Sequence, residues 1–243
     1  VKLTLPWLGR PTDSPFPDPA LALAEPNGLL ALGGGLEPER LLRAYRMGIF
    51  PWYAPGEPIL WWSPDPRCVF ATGRMHRARR LRRWLQGCAW TVDADRRFDA
   101  VIDGCAMPRT DEAGTWITPE MRGAYLGLHR LGHAHSVEVM DGDRLLGGLY
   151  GVAIGCMFFA ESMFSVDTNA SKVALLALAM RLNAWGFPWI DAQVANPHLD
   201  TLGATRLSRA GFLAEVASLT RQPFASGDWR ERFGAVQAST LAG

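Results

Sequence analysis

Residues 136–193 read SVEVMDGDRLLGGLYGVAIGCMFFAESMFSVDTNASKVALLALAMRLNAWGFPWIDAQ, and the change of hydrophobic period along them decides the fold. Residues 136–140 alternate as a strand, Asp141-Gly142-Asp143 supplies a hairpin turn, and 145–153 and 156–165 are two further runs of strand length. Three strands in direct succession are expected to pair antiparallel. The period then becomes helical over 171–185, where Leu175, Leu178, Leu182 and Trp185 recur on one side, and 189–194 returns to a short strand.

Upstream, Thr118 is an N-cap followed by Pro119 and Glu120, which predicts a helix over 118–131 stopped by Gly132. Downstream, 198–202 reads as a helical turn, 206–216 as a last strand, and the tail after Phe224 as loosely held. This order of elements is that of an α+β acyltransferase-like (GNAT-type) domain, a mixed sheet splayed open beside a helix N-terminus. Such an analogy carries no substrate. The first 65 residues differ, being rich in Pro and Gly with one clear helix over 37–47, where Pro38 suits the first turn, Leu41, Leu42 and Tyr45 form an apolar face and Gly48 ends it. Gly33-Gly34-Gly35 lacks the Lys-Ser/Thr of a phosphate loop and reads as a turn. Pro64 and Pro66 mark the expected boundary between a small N-terminal α+β domain, 1–65, and the acyltransferase-like domain, 66–243.

With 243 residues, 48% of them hydrophobic, and a net charge of +1, the chain is long enough for a real core and is neither collagenous, coiled-coil nor disordered. The longest apolar run, 173–180, falls well short of the roughly 18 to 20 residues of a membrane span, and 1–10 lacks a signal peptide's apolar core. Cys68, Cys88, Cys105 and Cys156 form no CxxC pair, so reduced thiols, no disulfide and a cytoplasmic setting are expected.

The small net charge hides an asymmetry. Between Cys68 and Val92 there is no acid, while Arg74, Arg77, Arg79, Arg80, Arg82 and Arg83 share the segment with Met75, Ala78, Leu81, Trp84 and Leu85, whose recurrence every three or four residues predicts an amphipathic helix over 74–85 with one thin apolar stripe. Solvated faces usually mix signs, so an unmixed arginine face over 74–85 points to a polyanion such as RNA phosphate. Trp52, Trp61, Trp62 and Trp116 cluster near the boundary region, where base stacking is one use and core packing the commoner one.

Candidate chemistry is concentrated in two strands. Asp191 and Gln193 are two apart, so strict alternation sets both on one face of an otherwise apolar strand; they need either backbone partners or a ligand. Glu161 stands in the equally apolar run 157–165, and two such acids suggest a cleft that receives a cation or an amine. Lys172, in the first turn of its helix, opposes the macrodipole unless an anion binds there, a solvated lysine being the equal alternative. The segment 165–170 contains no glycine, so the pyrophosphate cradle of a coenzyme A enzyme is missing. His129, His133 and His135 straddle a helix end and a strand start, a poor metal set; no GxSxG elbow occurs, and Cys156 has no evident activating partner. Neither metal nor cofactor is expected.

Several blocks, Glu25 to Gly34, Gly48-Ile49-Phe50-Pro51-Trp52, Trp61 to Arg67, Gly114 to Thr118, Gly132 to Ser136, Glu161 to Ser165, Asn169 to Lys172 and Ile190 to Gln193, resemble in order those of the bacterial leucyl/phenylalanyl-tRNA-protein transferases. The resemblance implies transfer of Leu, Phe or Met from aminoacyl-tRNA to the α-amine of proteins beginning with Arg or Lys, which creates a degradation signal, without metal or coenzyme; a monomer is expected. It implies catalytic positions at Asp191 and Gln193, an adenosine clamp of Trp52 and Trp116, an acceptor-site acid at Glu161, and a donor side-chain pocket of Leu149, Phe158, Met163, Ser165, Leu175, Leu178 and Ile190. Ala192 stands where a Cys is frequent in the family, and Leu178 where some relatives carry an aromatic residue, so donor preference is open to change. For Phe158 and Glu161 to line one cleft, a β-bulge must separate them. The rival readings are an acyl-CoA-dependent N-acyltransferase and a non-catalytic RNA-binding module.

Overall fold

A computed structural model describes residues 5–108, 117–224 and 228–243. The chain is a mixed α/β protein, and its described residues form two sheets. The first contains β1 (Trp7–Leu8), β2 (Leu29–Gly33), β3 (Phe50–Pro51) and β4 (Leu60–Trp62) in the order β1-β2-β4-β3, with α1 (Pro38–Arg46) between β2 and β3. Pro38 occupies the first turn of α1 as its fixed φ allows, and Leu41, Leu42 and Tyr45 are buried along one face. Arg40 on the same helix is fully buried; its Nη2 donates to the carbonyls of Gly9, Arg10 and Pro11 and so ties down the preceding loop.

The second sheet is built from β5 (Arg67–Ala71), α2 (Arg79–Gln86), β6 (Thr91–Ala94), α3 (Phe98–Ala106), α4 (Pro119–Arg130), β7 (Ala134–Asp141), β8 (Arg144–Ile154), β9 (Met157–Ser165), α5 (Ala170–Ala184), β10 (Trp189–Gln193), α6 (Pro197–Thr201), β11 (Thr205–Leu207), α7 (Arg209–Leu219), α8 (Trp229–Phe233) and β12 (Val236–Gln237). Its eight strands run β11-β5-β10-β9-β8-β7-β6-β12. The strands β7, β8 and β9 are antiparallel, as expected of consecutive hairpins. Among the described strands of this sheet only β9 and β10 pair parallel, over Ile190 opposite Phe158 and Asp191 opposite Phe159. That pairing stops while β9 continues to Ser165, so the two strands part. Across the sheet lies α5, apolar on nearly every side and buried accordingly. Its approach needs Gly147, where a Cβ would come within 2.7 Å of the Ala170 Cβ.

Three expectations change. The stretch 206–216 is the short β11 followed by α7, because the Ser208 hydroxyl accepts the Gly211 N–H at 3.2 Å and Phe212, Val216 and Leu219 then recur at helical spacing into the core. The arginine helix begins at Arg79; Thr72–Arg74 is a separate 3₁₀ turn, so Arg74 and Arg77 lie on the approach to the helix. The tail is firmly packed: Trp229, Phe233, Ala238 and Leu241 are buried and β12 extends the sheet beside β6. The segments forming β5, β6 and α3 have too short or too weak a local period to be predicted from sequence.

Candidate active site

Two irregularities in neighbouring strands make the cleft. In β9, Tyr150 faces Ser162 and Gly151 faces Ala160, leaving Glu161 as the extra residue of a β-bulge. The bulge lets Ala160, Glu161, Ser162 and Met163 all reach one cleft of about 550 Å³. In β10, Asp191 pairs with Val69 and Gln193 with Cys68, so Ala192 is the extra residue, and Gln193 sits at φ +60°. A non-glycine residue there costs energy that the surroundings must hold in place.

That second bulge corrects the simple alternation expected of Asp191 and Gln193. Gln193 lines the cleft, whereas Asp191 is 0% exposed and turned to β5, where Arg67 Nε and Nη2 donate to its two oxygens at 2.8 and 2.7 Å. Arg67 is itself fully buried, stacked between the rings of Phe50 and Phe212 at 4.7 and 4.5 Å, and its Nη1 donates to the Gly48 carbonyl at 3.0 Å. The carboxylate has one further duty: its Oδ1 accepts the Gln193 backbone N–H at 2.9 Å, which holds the bulge. Sequence reasoning missed the role of Arg67, although a lone arginine directly after Pro66 at the start of an apolar run was the available signal.

Glu161 is 9% exposed and lines the cleft. Its Oε1 lies 2.8 Å from the Tyr45 hydroxyl and accepts Gln193 Nε2–H at 2.9 Å; its Oε2 lies 2.6 Å from the Tyr125 hydroxyl, and the two hydroxyls are 2.6 Å apart. Burial pushes the Glu161 carboxyl up to about 7, against the lowering effect of the tyrosine hydrogen bonds, with nearby Asp191 raising it further. Burial also raises the Tyr45 and Tyr125 phenols well above their usual range, so both remain neutral donors.

Trp52 stands at the cleft 45% exposed, with its carbonyl accepting Trp62 Nε1–H at 2.7 Å. Trp116 lies outside the described residues. Of the expected donor pocket, Leu149, Met163 and Leu175 line the cleft, Leu149 and Met163 being direct cross-strand partners. The other four lie elsewhere. Phe158 packs against Gly151 and toward the Trp229 ring, and Leu178 and Ile190 are fully buried in the core. Ser165 instead caps α5, its Oγ accepting the Ser171 N–H at 2.8 Å. Cleft residues not anticipated include Phe70, Leu199 and His198.

The cations are arranged around this cleft more loosely. Arg74, Arg79, Arg80, Arg82 and Arg83 are exposed and Arg77 is half-buried. Their segment starts against the cleft wall, since the His76 N–H donates to the Leu202 carbonyl just beyond α6, which contributes Leu199 to the lining. Lys172 donates to Asn169 Oδ1 at 3.2 Å across the first turn of α5. Of the three histidines, His129 and His135 both approach the Asp95 carboxylate, at 3.9 and 2.7 Å, His129 Nδ1 also meeting the Ala134 carbonyl, while His133 is half-buried apart from them, its ring held below the usual histidine range by that burial. Cys68 and Cys156 are free and buried, and burial raises both thiols, Cys68 to about 11, which suits packing better than nucleophilic attack.

Two bulged strands that part around a buried acid and an amide, with an exposed tryptophan and an arginine-rich surface nearby, form a geometry suited to the class of group-transfer enzymes that handle polyanions. The sequence pattern of leucyl/phenylalanyl-tRNA protein transferase matches residues 69–217, and that of the same family's N-terminal domain matches 34–65. Curated proteins named leucyl/phenylalanyl-tRNA--protein transferase are 57% identical in Xanthomonas axonopodis pv. citri, over 98% of this chain and 96% of the relative, and 58% identical in Xanthomonas euvesicatoria pv. vesicatoria, over 96% and 94%. In Xylella fastidiosa the figures are 57%, 94% and 95%. The chain belongs to the leucyl/phenylalanyl-tRNA protein transferase family and is thus an aminoacyl-transferring enzyme. A looser likeness is to a solved structure described as L-PGS from Bacillus licheniformis, with a TM-score of 0.37 and 9% identity over 69% of this chain and 54% of that one.

Proposed function

We propose that this enzyme moves Leu, Phe or Met from aminoacyl-tRNA to the α-amine of proteins whose first residue is Arg or Lys, marking them for degradation. The observation that carries the acceptor side is Glu161, a carboxyl group buried in the wall of the cleft that also contains Gln193 and Trp52. Arg and Lys are the first residues that bring a second cation to such a cleft. The donor's terminal adenosine stacks on Trp52, with Trp116 as its partner, while Leu149, Met163 and Leu175 face the aminoacyl side chain and the arginines of 74–83, with Lys172, hold phosphates.

In the reaction, the neutral α-amine nitrogen attacks the ester carbonyl carbon, the N–C bond forms, the bond to the ribose oxygen breaks, and the proton lost by nitrogen ends on that oxygen. An ester is already activated, so orientation supplies most of the rate. Gln193 gives its Nε2–H to Glu161, which leaves its amide oxygen as the end available to an acceptor N–H. Asp191 acts as a positioner of Gln193, because both of its oxygens are occupied by Arg67. The ribose's own hydroxyl serves the leaving oxygen.

The parting of β9 and β10 beside the start of α5 supports the acyltransferase-like (GNAT-type) layout, and the two separate sheets support domains at 1–65 and 66–243. The working form is proposed to be a cytoplasmic monomer; no helix among the described residues is long and apolar enough to cross a membrane. The test is to supply labelled leucyl-tRNA or labelled acetyl-CoA with peptides beginning with Arg, Lys or citrulline. Label should reach the Arg and Lys peptides from leucyl-tRNA only. Transfer from acetyl-CoA, or equal labelling of the citrulline peptide, would refute the reading.

A further inference from the structure

Tyr45 Oη, Tyr125 Oη and the Glu161 carboxyl form a closed ring with oxygen separations of 2.6, 2.8 and 2.6 Å. Each separation is a hydrogen-bond distance and each needs one proton on its edge. The two phenols supply two. With an ionised Glu161, both protons go to the carboxylate and the two phenol oxygens are left 2.6 Å apart with no proton between them, lone pair against lone pair. A third proton on Glu161 removes the conflict: Oε2–H donates to Tyr125, Tyr125 O–H donates to Tyr45, and Tyr45 O–H donates to Oε1. The same Oε1, now a carbonyl oxygen, has its second lone pair for Gln193 Nε2–H.

We propose that Tyr45 and Tyr125 are specificity-determining residues that keep Glu161 as a neutral acid while the cleft is empty, so that a cationic acceptor side chain enters in exchange for that proton. The inference rests on the acceptor reading of Glu161 given above. Once the proton leaves, both phenol hydrogens turn to the carboxylate and Gln193 remains, so the ionised form keeps three donors. A neutral side chain offers no charge to compensate the buried carboxylate and leaves the closed ring undisturbed. Among the described residues, the charged and titratable groups around Glu161 are Tyr45 on α1, Tyr125 on α4, Tyr150 on β8, Asp191 on β10, Arg67 on β5, Cys105 on α3 and His198 on α6. Asp191 and Arg67 neutralise each other, so the one arginine of that group is already spent on another carboxylate. The rise of the Glu161 carboxyl to about 7 through burial agrees with the proton count.

The experiment is infrared difference spectroscopy of the full chain at pH 6, wild type minus Glu161→Gln, with calorimetry in buffers of different ionisation enthalpy. The probes are a dipeptide amide beginning with Arg and its citrulline counterpart, without tRNA. A protonated-carboxyl band that belongs to Glu161, that disappears with the Arg peptide but not with citrulline, and that is accompanied by release of about one proton at pH 6 falling toward none at pH 8.5, is the expected result. Tyr45→Phe should weaken binding of the Arg peptide roughly tenfold or more while changing that of the citrulline peptide little, since a donor to a charged group is removed. Absence of the band at pH 6, or its persistence under saturating Arg peptide, overturns the proposal. Failure of the transferase reading is seen separately, as proton exchange with the peptide but no transfer from leucyl-tRNA.

Discussion

Arg67 and Asp191 meet through two parallel hydrogen bonds with neither side chain exposed, 124 residues apart in the chain and on adjacent strands. The pair joins the start of the second sheet to the bulge that presents Gln193, so it links fold stability to the geometry of the cleft. Removing one partner strands a buried charge. Arg67→Met should therefore cost about 3 to 5 kcal/mol in urea unfolding, and Asp191→Asn somewhat less, because an amide still accepts from the guanidinium. If Asp191 positions, the Asn variant lowers kcat without removing an ionisation from the pH profile of kcat; loss of an ionisation would make Asp191 a base.

Gln193→Ala should lower kcat with donor KM retained, since it removes an interaction aimed at the amine. The double variant with Asp191→Asn should be no worse than the poorer single one, because Asp191 acts through the Gln193 backbone. Independent, multiplying losses in single-turnover measurements would separate the two roles.

Glu138 carries a pH effect outside the cleft. It is fully buried, and burial pushes its carboxyl up to about 7 despite the short hydrogen bond from Ser136 Oγ at 2.5 Å. A raised carboxyl means the folded state holds its proton more tightly than the unfolded one between the ordinary 4.5 and about 7, so stability falls as pH rises through that window. Glu138→Gln should shrink the stability difference between pH 5 and pH 8 by about 2 to 3 kcal/mol, at about 1.4 kcal/mol per unit. Identical slopes in urea titrations of the two proteins would rule this out.

On the arginine segment, Arg79→Gln with Arg83→Gln should weaken binding of unrelated tRNAs alike and flatten the salt dependence by about 0.7 to 0.9 for each phosphate no longer neutralised. The positions are exposed and off the apolar stripe, so thermal stability should not change. An unaltered salt slope assigns the segment to solubility.

Trp52→Ala removes an exposed stacking surface at the cleft mouth. Donor KM should rise roughly tenfold or more, from about 1 to 3 kcal/mol per stacked base, with acceptor KM nearly constant. Equal changes in both would indicate collapse of the neighbouring Trp62 packing instead.

Much of the catalytic sheet was legible in residues 118–193, because each feature there is set by interactions within a few positions. Thr118 caps α4 by accepting the Met121 N–H, and the Asp141 turn closes β7 on β8. A bulge in β9 was expected only as the means of bringing Phe158 and Glu161 to one cleft; the bulge that is present instead sets Glu161 beside Ala160 and Ser162, while Phe158 faces the Trp229 side. The α7 helix was misread because a short apolar run has no period long enough to choose between strand and helix; Ser208 and the core decided. What no local pattern could give is the partnership of groups far apart in sequence. Arg67 reaches Asp191 because β5 and β10 are neighbours in the sheet, and Tyr45 reaches Glu161 because α1 packs toward the second sheet. Sheet order and the packing of the two sheets are set by burial summed over the whole core. Residue types and periods therefore determine which groups need partners, and only the tertiary structure decides which partners they find.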